Sequence, residues 1–199
     1  YVIHGHSGAW NDMDLDAADA TFYANGAERW GAAVGGIPDV TGDGRGELWI
    51  GSFDASPGGG VAVFFGIAGG FSGNTNLTGA DTLFEGSGGE QAGILAAPGD
   101  MTGDGIPDIA IGARGNSAAG PEAGAVYLID EASGSWGSTY ALSSAPARVL
   151  GESQGDWFGH ALCPAGDFND DGRPDLAVGA PYNDQVGSGS GKVYLLFGY

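Results

Sequence analysis

Three short segments of this chain place oxygen-bearing side chains at one spacing, and that spacing suits a divalent cation. The segments begin at Asp39, Asp100 and Asp167. Each has oxygen side chains at its first, third, fifth and ninth positions and a glycine at its sixth. A hard cation such as Ca²⁺ takes several oxygen ligands at about 2.3–2.6 Å, and the glycine permits the sharp turn that gathers them. The pattern therefore predicts three calcium loops.

Two other interpretations of these loops were weighed. An EF-hand loop ends with a glutamate at its twelfth position and lies between two helices. Here the twelfth position is apolar (Ile50, Ile111 and Val178), and the short run around it is typical of a strand, so each loop is predicted to join two strands. The second interpretation is an Asp-Gly turn whose side chains only cap their own backbone. It leaves unexplained why three acids recur in each turn, since close carboxylates repel one another unless a cation lies among them.

The loops are part of a longer repeat. Their first residues are separated by 61 and 67 positions (100 − 39 and 167 − 100). A short strand is predicted before each loop, two follow it, and a fourth strand is predicted over 20–24, 81–85 and 147–150. Four short antiparallel strands in about 60 residues are the size of a β-propeller blade. The chain is therefore predicted to be all-β, a partial propeller of three repeats at about 6–66, 67–131 and 132–198.

The ends of the chain fit the same repeat. Residues 1–5 align with a third strand, so the chain is predicted to begin and to end on one. The last blade then has three strands, and the ring is not closed by this chain alone. An aromatic residue recurs after each third strand, and we predict that it packs within the blades; it is Trp10, Phe71 or Trp136.

The last repeat carries a recognisable set of residues. Phe158-Gly159, loop 167–175 and Gly179-Ala180-Pro181 together resemble the FG-GAP repeat, the blade of the integrin α head and of related bacterial and fungal propellers. The resemblance covers essentially the whole chain and is looser in the first two repeats, where Gly51-Ser52-Phe53 and Gly112-Ala113-Arg114 replace Gly-Ala-Pro. It implies a non-enzymatic, calcium-stabilised propeller with about three ions per chain.

We name the segments loop I (39–47), loop II (100–108) and loop III (167–175). Four side chains and the carbonyl of the seventh residue are expected to hold each ion. In loop I Glu47 replaces the closing aspartate with a longer arm. The predicted ligands are Asp39, Thr41, Asp43, Glu47 and the carbonyl of Arg45; Asp100, Thr102, Asp104, Asp108 and the carbonyl of Ile106; and Asp167, Asn169, Asp171, Asp175 and the carbonyl of Arg173.

Composition narrows the possible partners and compartment. The chain has 6 basic and 25 acidic residues, a formal charge of −19, which argues against binding nucleic acid or anionic membrane by charge. Apolar runs are too short to span a bilayer, which predicts no membrane insertion. Open calcium loops suit an extracellular or cell-surface location, where the ion is plentiful. The single cysteine, Cys163, is flanked by small apolar residues and is predicted to be buried.

These observations predict an extracytoplasmic module for adhesion, protein–protein interaction or self-assembly. Members of the resembling family usually close a seven-bladed ring, so the partner is either the remainder of a larger propeller or other copies of the chain, through strand-sharing into a ring or fibre. A protein or glycan ligand is compatible with both. A lectin-like propeller and a non-catalytic part of a secreted polysaccharide- or lipid-degrading enzyme stay open as alternatives. Outside the loops no convergent acid–base set is found, so no catalytic residue is predicted.

Overall fold

The computed structural model describes residues 1–4, 18–130 and 136–199, and in these residues the chain is all-β, as predicted. It forms short strands and two 3₁₀ turns, at Leu77–Gly79 and Leu142–Ser144. The strands are β1 Ala20–Tyr23, β2 Ala33–Ile37, β3 Glu47–Ser52, β4 Gly60–Phe64, β5 Gly73–Asn76, β6 Thr82–Glu85, β7 Ala92–Gly99, β8 Asp108–Ala113, β9 Ala125–Ile129, β10 Thr139–Ala141, β11 Ala147–Leu150, β12 Ala161–Gly166, β13 Asp175–Ala180 and β14 Lys192–Leu196.

The strands form successive antiparallel sheets of the kind expected for propeller blades. The first blade is β2, β3, β4 and β6; the second is β7, β8, β9 and β11; the terminal blade is β12, β13 and β14. Neighbouring strands within each blade are antiparallel. Before the first blade, Val2 makes a single antiparallel bridge to Ala20, where the sequence predicted a strand over residues 1–5. Trp10 and the predicted repeat boundaries at 6, 131 and 132 lie outside the described residues.

The core lies between the blades because each strand turns alternate side chains to opposite faces. Trp49, Val61 and Val63 of the first blade pack against Ile109 and Ile111 of the second. The opposite face of the second blade, which includes Val126, packs against Leu176 and Val178 of the terminal blade. Phe71 and Trp136 pack beside these sheets, as the repeat predicted.

Cys163 corrects one prediction, because its thiol is exposed rather than buried. It lies on β12 and pairs across the ladder with Ala177. The equivalent residue of the second blade, Ala96, is buried because the terminal blade covers it. Among the described residues no further blade covers the outer face of the terminal blade, so the position that is buried in the second blade faces water here.

Two strands were not predicted. β5 and β10 lie in the connections between the third and fourth strands of a blade, and each crosses to the preceding blade. There β5 pairs in parallel with β1, and β10 pairs in parallel with β6. The first blade thereby becomes a five-stranded sheet with β10 at its outer edge.

Candidate metal centres and their surroundings

Each acid-lined loop connects the first and second strands of its blade. Loop I joins β2 to β3, loop II joins β7 to β8, and loop III joins β12 to β13. The glycine at the sixth position has a positive φ in every loop: +84° in Gly44, +87° in Gly105 and +90° in Gly172. A residue with a Cβ rarely adopts this conformation, which explains the glycine at that position. The placement of the loops between strands is as predicted.

The first aspartate of each loop organises the turn by accepting backbone hydrogen bonds. Asp39 accepts from the N–H groups of Gly42 at 2.7 Å and Gly44 at 2.6 Å. Asp100 and Asp167 accept in the same way from the fifth and sixth residues of their loops. The Gly44 N–H, as the largest contribution, lowers the pKa of Asp39. The carboxylate is therefore held in its ionised form and its orientation is fixed.

The ninth residue of each loop opens the second strand and is buried. Glu47, Asp108 and Asp175 each accept a hydrogen bond from the backbone N–H of the second loop residue, at 3.3, 2.7 and 2.7 Å. Burial raises the pKa of Glu47 and of Asp108. A buried carboxylate is costly unless it is paired or binds a metal. Each loop thus has at its ninth position a buried carboxylate whose ionised form is unfavourable without a partner.

The fifth residue is oriented by the seventh. Asp43, Asp104 and Asp171 each accept a hydrogen bond from the N–H of the seventh residue at 2.8–2.9 Å. In loop I the Arg45 side chain also pairs with Asp43, at 2.7 Å. These bonds suit both a cation loop and a plain Asp-Gly turn. In the described residues no three acidic, histidine or cysteine side chains gather closely enough to hold a metal ion.

Loops I and II contain buried oxygens that lack hydrogen-bond partners in the described part of the chain. They are Oε2 of Glu47, Oγ1 of Thr102 and Oδ1 of Asp108. Thr102 and Asp108 also line a cavity of about 30 Å³, whose other walls are largely apolar and include Leu128 and Tyr199. The other proposed side-chain ligands of loop II, Asp100 and Asp104, do not line this cavity, so the unpaired oxygens and not the cavity bear on ion binding. An unpaired buried oxygen is unfavourable, so these atoms fit a cation better than a turn that is satisfied by its own backbone.

Loop III differs in three contacts. Both oxygens of Asp175 are hydrogen-bonded, one to the N–H of Phe168 and the other to the N–H of Gly198 at 3.0 Å. The Asn169 amide donates to Asp171 at 2.7 Å. Arg173 crosses to the neighbouring loop, where its guanidinium donates to the carbonyl of Thr102 at 2.9 Å. The closing carboxylate of loop III therefore has protein partners for both oxygens, while the closing carboxylate of loop II keeps one oxygen unpaired in the described residues.

A second recurring polar pair was missed in the sequence. Asn116 donates to Glu90 at 2.6 Å, and Asn183 donates to Asp156 at 2.6 Å. Tyr127 also donates to Glu90, at 2.6 Å; burial, followed by this carboxylate, raises the pKa of Tyr127 to about 12. Each pair ties the entry to a blade's first strand to the turn after its second strand. The signal was present, because an acid recurs two residues before the first-strand positions 30, 92 and 158.

An arginine between aromatic rings was also missed. The guanidinium of Arg114 lies 4.1 Å from the ring centre of Phe53 and 4.7 Å from that of Trp157. Each blade contributes one of these residues, so the cluster spans three blades. His160 lies beside it, and burial, together with Arg114, lowers the pKa of His160. The sequence carried no signal for this cluster because Arg114 occupies the position where the family pattern has proline.

Comparisons with known proteins agree with this geometry. A model of the FG-GAP repeat matches residues 92–129 and 158–196, the strand–loop–strand cores of the second and terminal blades. Integrin alpha-6 of Gallus gallus is 36% identical over 127 residues, 63% of this chain and 11% of the integrin. Integrin alpha-6 of Homo sapiens is 37% identical over 118 residues, 58% of this chain and 10% of the integrin.

A relative of another kind matches as well. Phosphatidylinositol-glycan-specific phospholipase D of Rattus norvegicus is 37% identical over 119 residues, 53% of this chain and 13% of that protein. The chain thus spans about a tenth of the length of the curated relatives it matches. The predicted resemblance is confirmed: FG-GAP repeats are found in the second and terminal blades, and the relatives that the chain matches include integrin alpha chains.

Proposed function

We propose that this chain is a calcium-stabilised, extracytoplasmic propeller module whose role is adhesion or protein–protein interaction. Its integrin α relatives support a binding role rather than catalysis. The observation that carries the calcium proposal is that Thr102 and Asp108, two proposed ligands of one ion, each bury an oxygen that has no hydrogen-bond partner in the described residues. Loop I has one such oxygen, on Glu47, and the proposal extends to loop III only through its equal ligand spacing, because both oxygens of Asp175 are already hydrogen-bonded.

Calcium would act through linkage between binding and folding. The proposed ligands of each ion are the first, third, fifth and ninth side chains of a loop with the carbonyl of the seventh residue. An ion that binds only the folded loop stabilises the fold by about 2.7 kcal/mol when its concentration is a hundred times the dissociation constant. Bound calcium would also offset repulsion among the acids of a chain whose formal charge is −19.

Thermal unfolding with calcium and with excess chelator tests this proposal. Calcium is expected to raise the melting temperature by at least about 5 °C, since 1 kcal/mol corresponds to roughly 2–4 °C at this chain length. Asp171→Ala should remove one ion per chain, counted by calorimetric titration. Asp170→Asn is the matched control, because its exposed side chain is the fourth of loop III and is not a proposed ligand. Identical melting with and without chelator would contradict the proposal.

The module is proposed to complete itself with further blades. The outer face of the terminal blade exposes Val193, Leu195 and Phe197. An apolar sheet face of this kind marks an interface. The partner is either the remainder of a larger propeller or another copy of the chain. Light scattering of the isolated chain should show self-association that Val193→Asp weakens. A cooperatively folded monomer at every concentration would contradict both arrangements.

A carbohydrate-binding role is a second candidate, and one surface groove favours it. Tyr182 is exposed and its ring lies 4.8 Å from that of Trp157. The two rings border an open groove of about 430 Å³ with Gln154, Asp184 and Ser188. Aromatic faces beside polar groups are suited to binding sugars. Glycan-array binding that Tyr182→Ala abolishes would support this role, and no binding on the array would count against it.

A place within a secreted lipid-degrading enzyme is the third candidate. The match to the phospholipase D relative covers 53% of this chain but only 13% of the phospholipase. In this candidate the blades serve as a non-catalytic module. None of the helical segments within the described residues is long and apolar enough to cross a bilayer. Phospholipase assays of the isolated chain are expected to show no turnover, and measurable turnover would contradict a non-catalytic role.

A further inference from the structure

The outer edge of a blade is covered by a strand from the next repeat wherever the chain supplies one. We call such a strand a strap; β5 and β10 are the two straps. β10 runs parallel to β6, the fourth strand of the first blade, with Tyr140 opposite Phe84. The backbone N–H of Leu83 in β6 donates to the carbonyl of Ser138 at 3.0 Å. β5 runs parallel to β1 in the same manner, with Thr75 opposite Phe22.

Each strap also brings an aromatic side chain and a leucine. Ahead of β10, Trp136 packs on Phe84 with ring centres 5.1 Å apart. Ahead of β5, Phe71 packs on Phe22 at 5.3 Å. Six residues after each of these aromatics a buried leucine begins a 3₁₀ turn; the leucines are Leu77 and Leu142.

β11 is the fourth strand of the second blade, equivalent to β6 of the first blade. Unlike β6, it has no strap on its outer edge in the described residues. In the sheet order β11 is the outermost strand, and none of the described residues pairs with its outer side. Val149 stands where the first blade has Phe84, since both lie opposite the third strand of their own blade. The residues of β6 are buried or half-buried, while Ala147, Arg148 and Leu150 of β11 are exposed.

We propose that the edge of β11 is an acceptor for an extended segment of a further FG-GAP repeat. The segment pairs with β11 in parallel, places an aromatic ring on Val149 and carries a leucine six residues after that aromatic. Its backbone carbonyl receives the outward N–H of Arg148, as Ser138 receives that of Leu83. The acceptor edge is continuous with the interface of the terminal blade, because both straps follow the third strand of the next blade.

The inference extends the proposed completion of the propeller by stating what the next repeat must donate. A blade that covered only the apolar face of the terminal blade would leave β11 as an open edge. Open edges are templates for unwanted pairing, and natural sheets cover them. The partner must therefore supply a parallel strand as well as a packed face.

A tethered strap tests the acceptor directly. The sequence of residues 68–79 is appended after Tyr199, because Gly198 aligns with Gly66 in the repeat and the copied strap then has its natural distance from the third strand. Tethering raises its effective concentration to the millimolar range. The control chain has the same tail with Phe71→Asp and Leu77→Asp made in the appended copy only. The intact tail is expected to raise the melting temperature by roughly 2–4 °C and to slow hydrogen exchange at Arg148 about tenfold or more.

The outcomes separate this inference from the calcium proposal. Both chains are measured with calcium and with excess chelator. Equal melting temperatures and equal Arg148 exchange for the intact and control tails would overturn the acceptor edge, whatever calcium does. Stabilisation by the intact tail in both conditions, with no effect of calcium on either chain, would support the acceptor edge and contradict the calcium proposal. Val149→Asp in the main chain should cancel the difference between the two tails.

Discussion

Val126 and Val193 occupy the same place in two successive blades, yet one is fully buried and the other is 71% exposed. Each lies on the third strand, opposite a glycine of the second strand. The same contrast separates the second residues of the loops, since Met101 is 4% exposed and Phe168 is 68% exposed. Within the described residues the second blade has a neighbour on both faces, and the terminal blade has one.

The backbone of the two blades is nevertheless the same. Both have a β-bulge or irregularity in the first strand near its loop, and both have a buried acid at the start of the second strand. In loops II and III the first, fifth and ninth residues accept equivalent backbone hydrogen bonds. Local hydrogen bonding therefore builds a blade, and only the neighbouring blade determines whether its outer face is core or surface.

The largest effect is expected when each of these two valines is replaced by aspartate. Val126→Asp places an unpaired carboxylate between two packed blades and is expected to cost about 4 kcal/mol or to prevent folding. In chain dilute enough to be monomeric, Val193→Asp is expected to change the free energy of unfolding by less than about 0.5 kcal/mol. Urea unfolding of the two variants measures the difference. Similar losses in both variants would mean that the outer face of the terminal blade is buried in solution.

Thiol reactivity provides a second test at another pair of equivalent positions. Cys163 is exposed and is expected to react with a thiol reagent at the rate of a free cysteine. Ala96→Cys, made with Cys163→Ala, places the thiol where 5% of the residue is exposed and should react at least about a hundredfold more slowly. These rates apply to dilute, monomeric chain; protection of Cys163 that appears only at high protein concentration would match the proposed self-association.

Much of this arrangement could be predicted from sequence because its determinants are local. The acid spacing and the glycine at the sixth position specify the loops, and the apolar runs after them specify the strands. The ligand assignments for residues such as Asp108 rest on that spacing and stay predictions until metal binding is measured. The fourth strands also lie close to where the repeat predicted them.

The features that could not be predicted from the sequence depend on contacts between blades. Cys163 was expected to be buried because its neighbours are small and apolar, but burial requires an adjacent blade. The straps escaped prediction because β5 and β10 are only 4 and 3 residues long and are stabilised by strands of another repeat. Arg114 has no local partner pattern, because its aromatic neighbours come from the two adjoining blades.

The pairs Glu90–Asn116 and Asp156–Asn183 allow the same comparison at the turns that connect strands. Asn183→Ala removes the amide that donates to the buried carboxylate of Asp156, and we expect a loss of about 2–3 kcal/mol. Asn116→Ala should cost about 1 kcal/mol, since Glu90 keeps hydrogen bonds from Tyr127 and from the N–H of Ser87. Denaturant unfolding measures both. A larger loss in Asn116→Ala would mean that the second blade depends more on this link.

The smallest expected effect is a difference in alkaline stability between two equivalent tyrosines. The pKa of Tyr127 is about 12 in the folded chain, above its ordinary value of 10.0, because burial and then Glu90 disfavour the phenolate. The protonated form is therefore favoured by folding, so its contribution is complete below about pH 10 and is lost as the pH rises through about 12. The unfolding free energy of Tyr127→Phe should therefore decrease less steeply than that of the parent chain between about pH 10 and pH 12. Tyr194→Phe, at the same position of the terminal blade, should reduce this slope less, because the open blade buries its tyrosine less completely. Equal reductions of the slope in the two variants would show that the missing neighbour does not alter the surroundings of this position, and the contrast between the blades would then be confined to their outer faces.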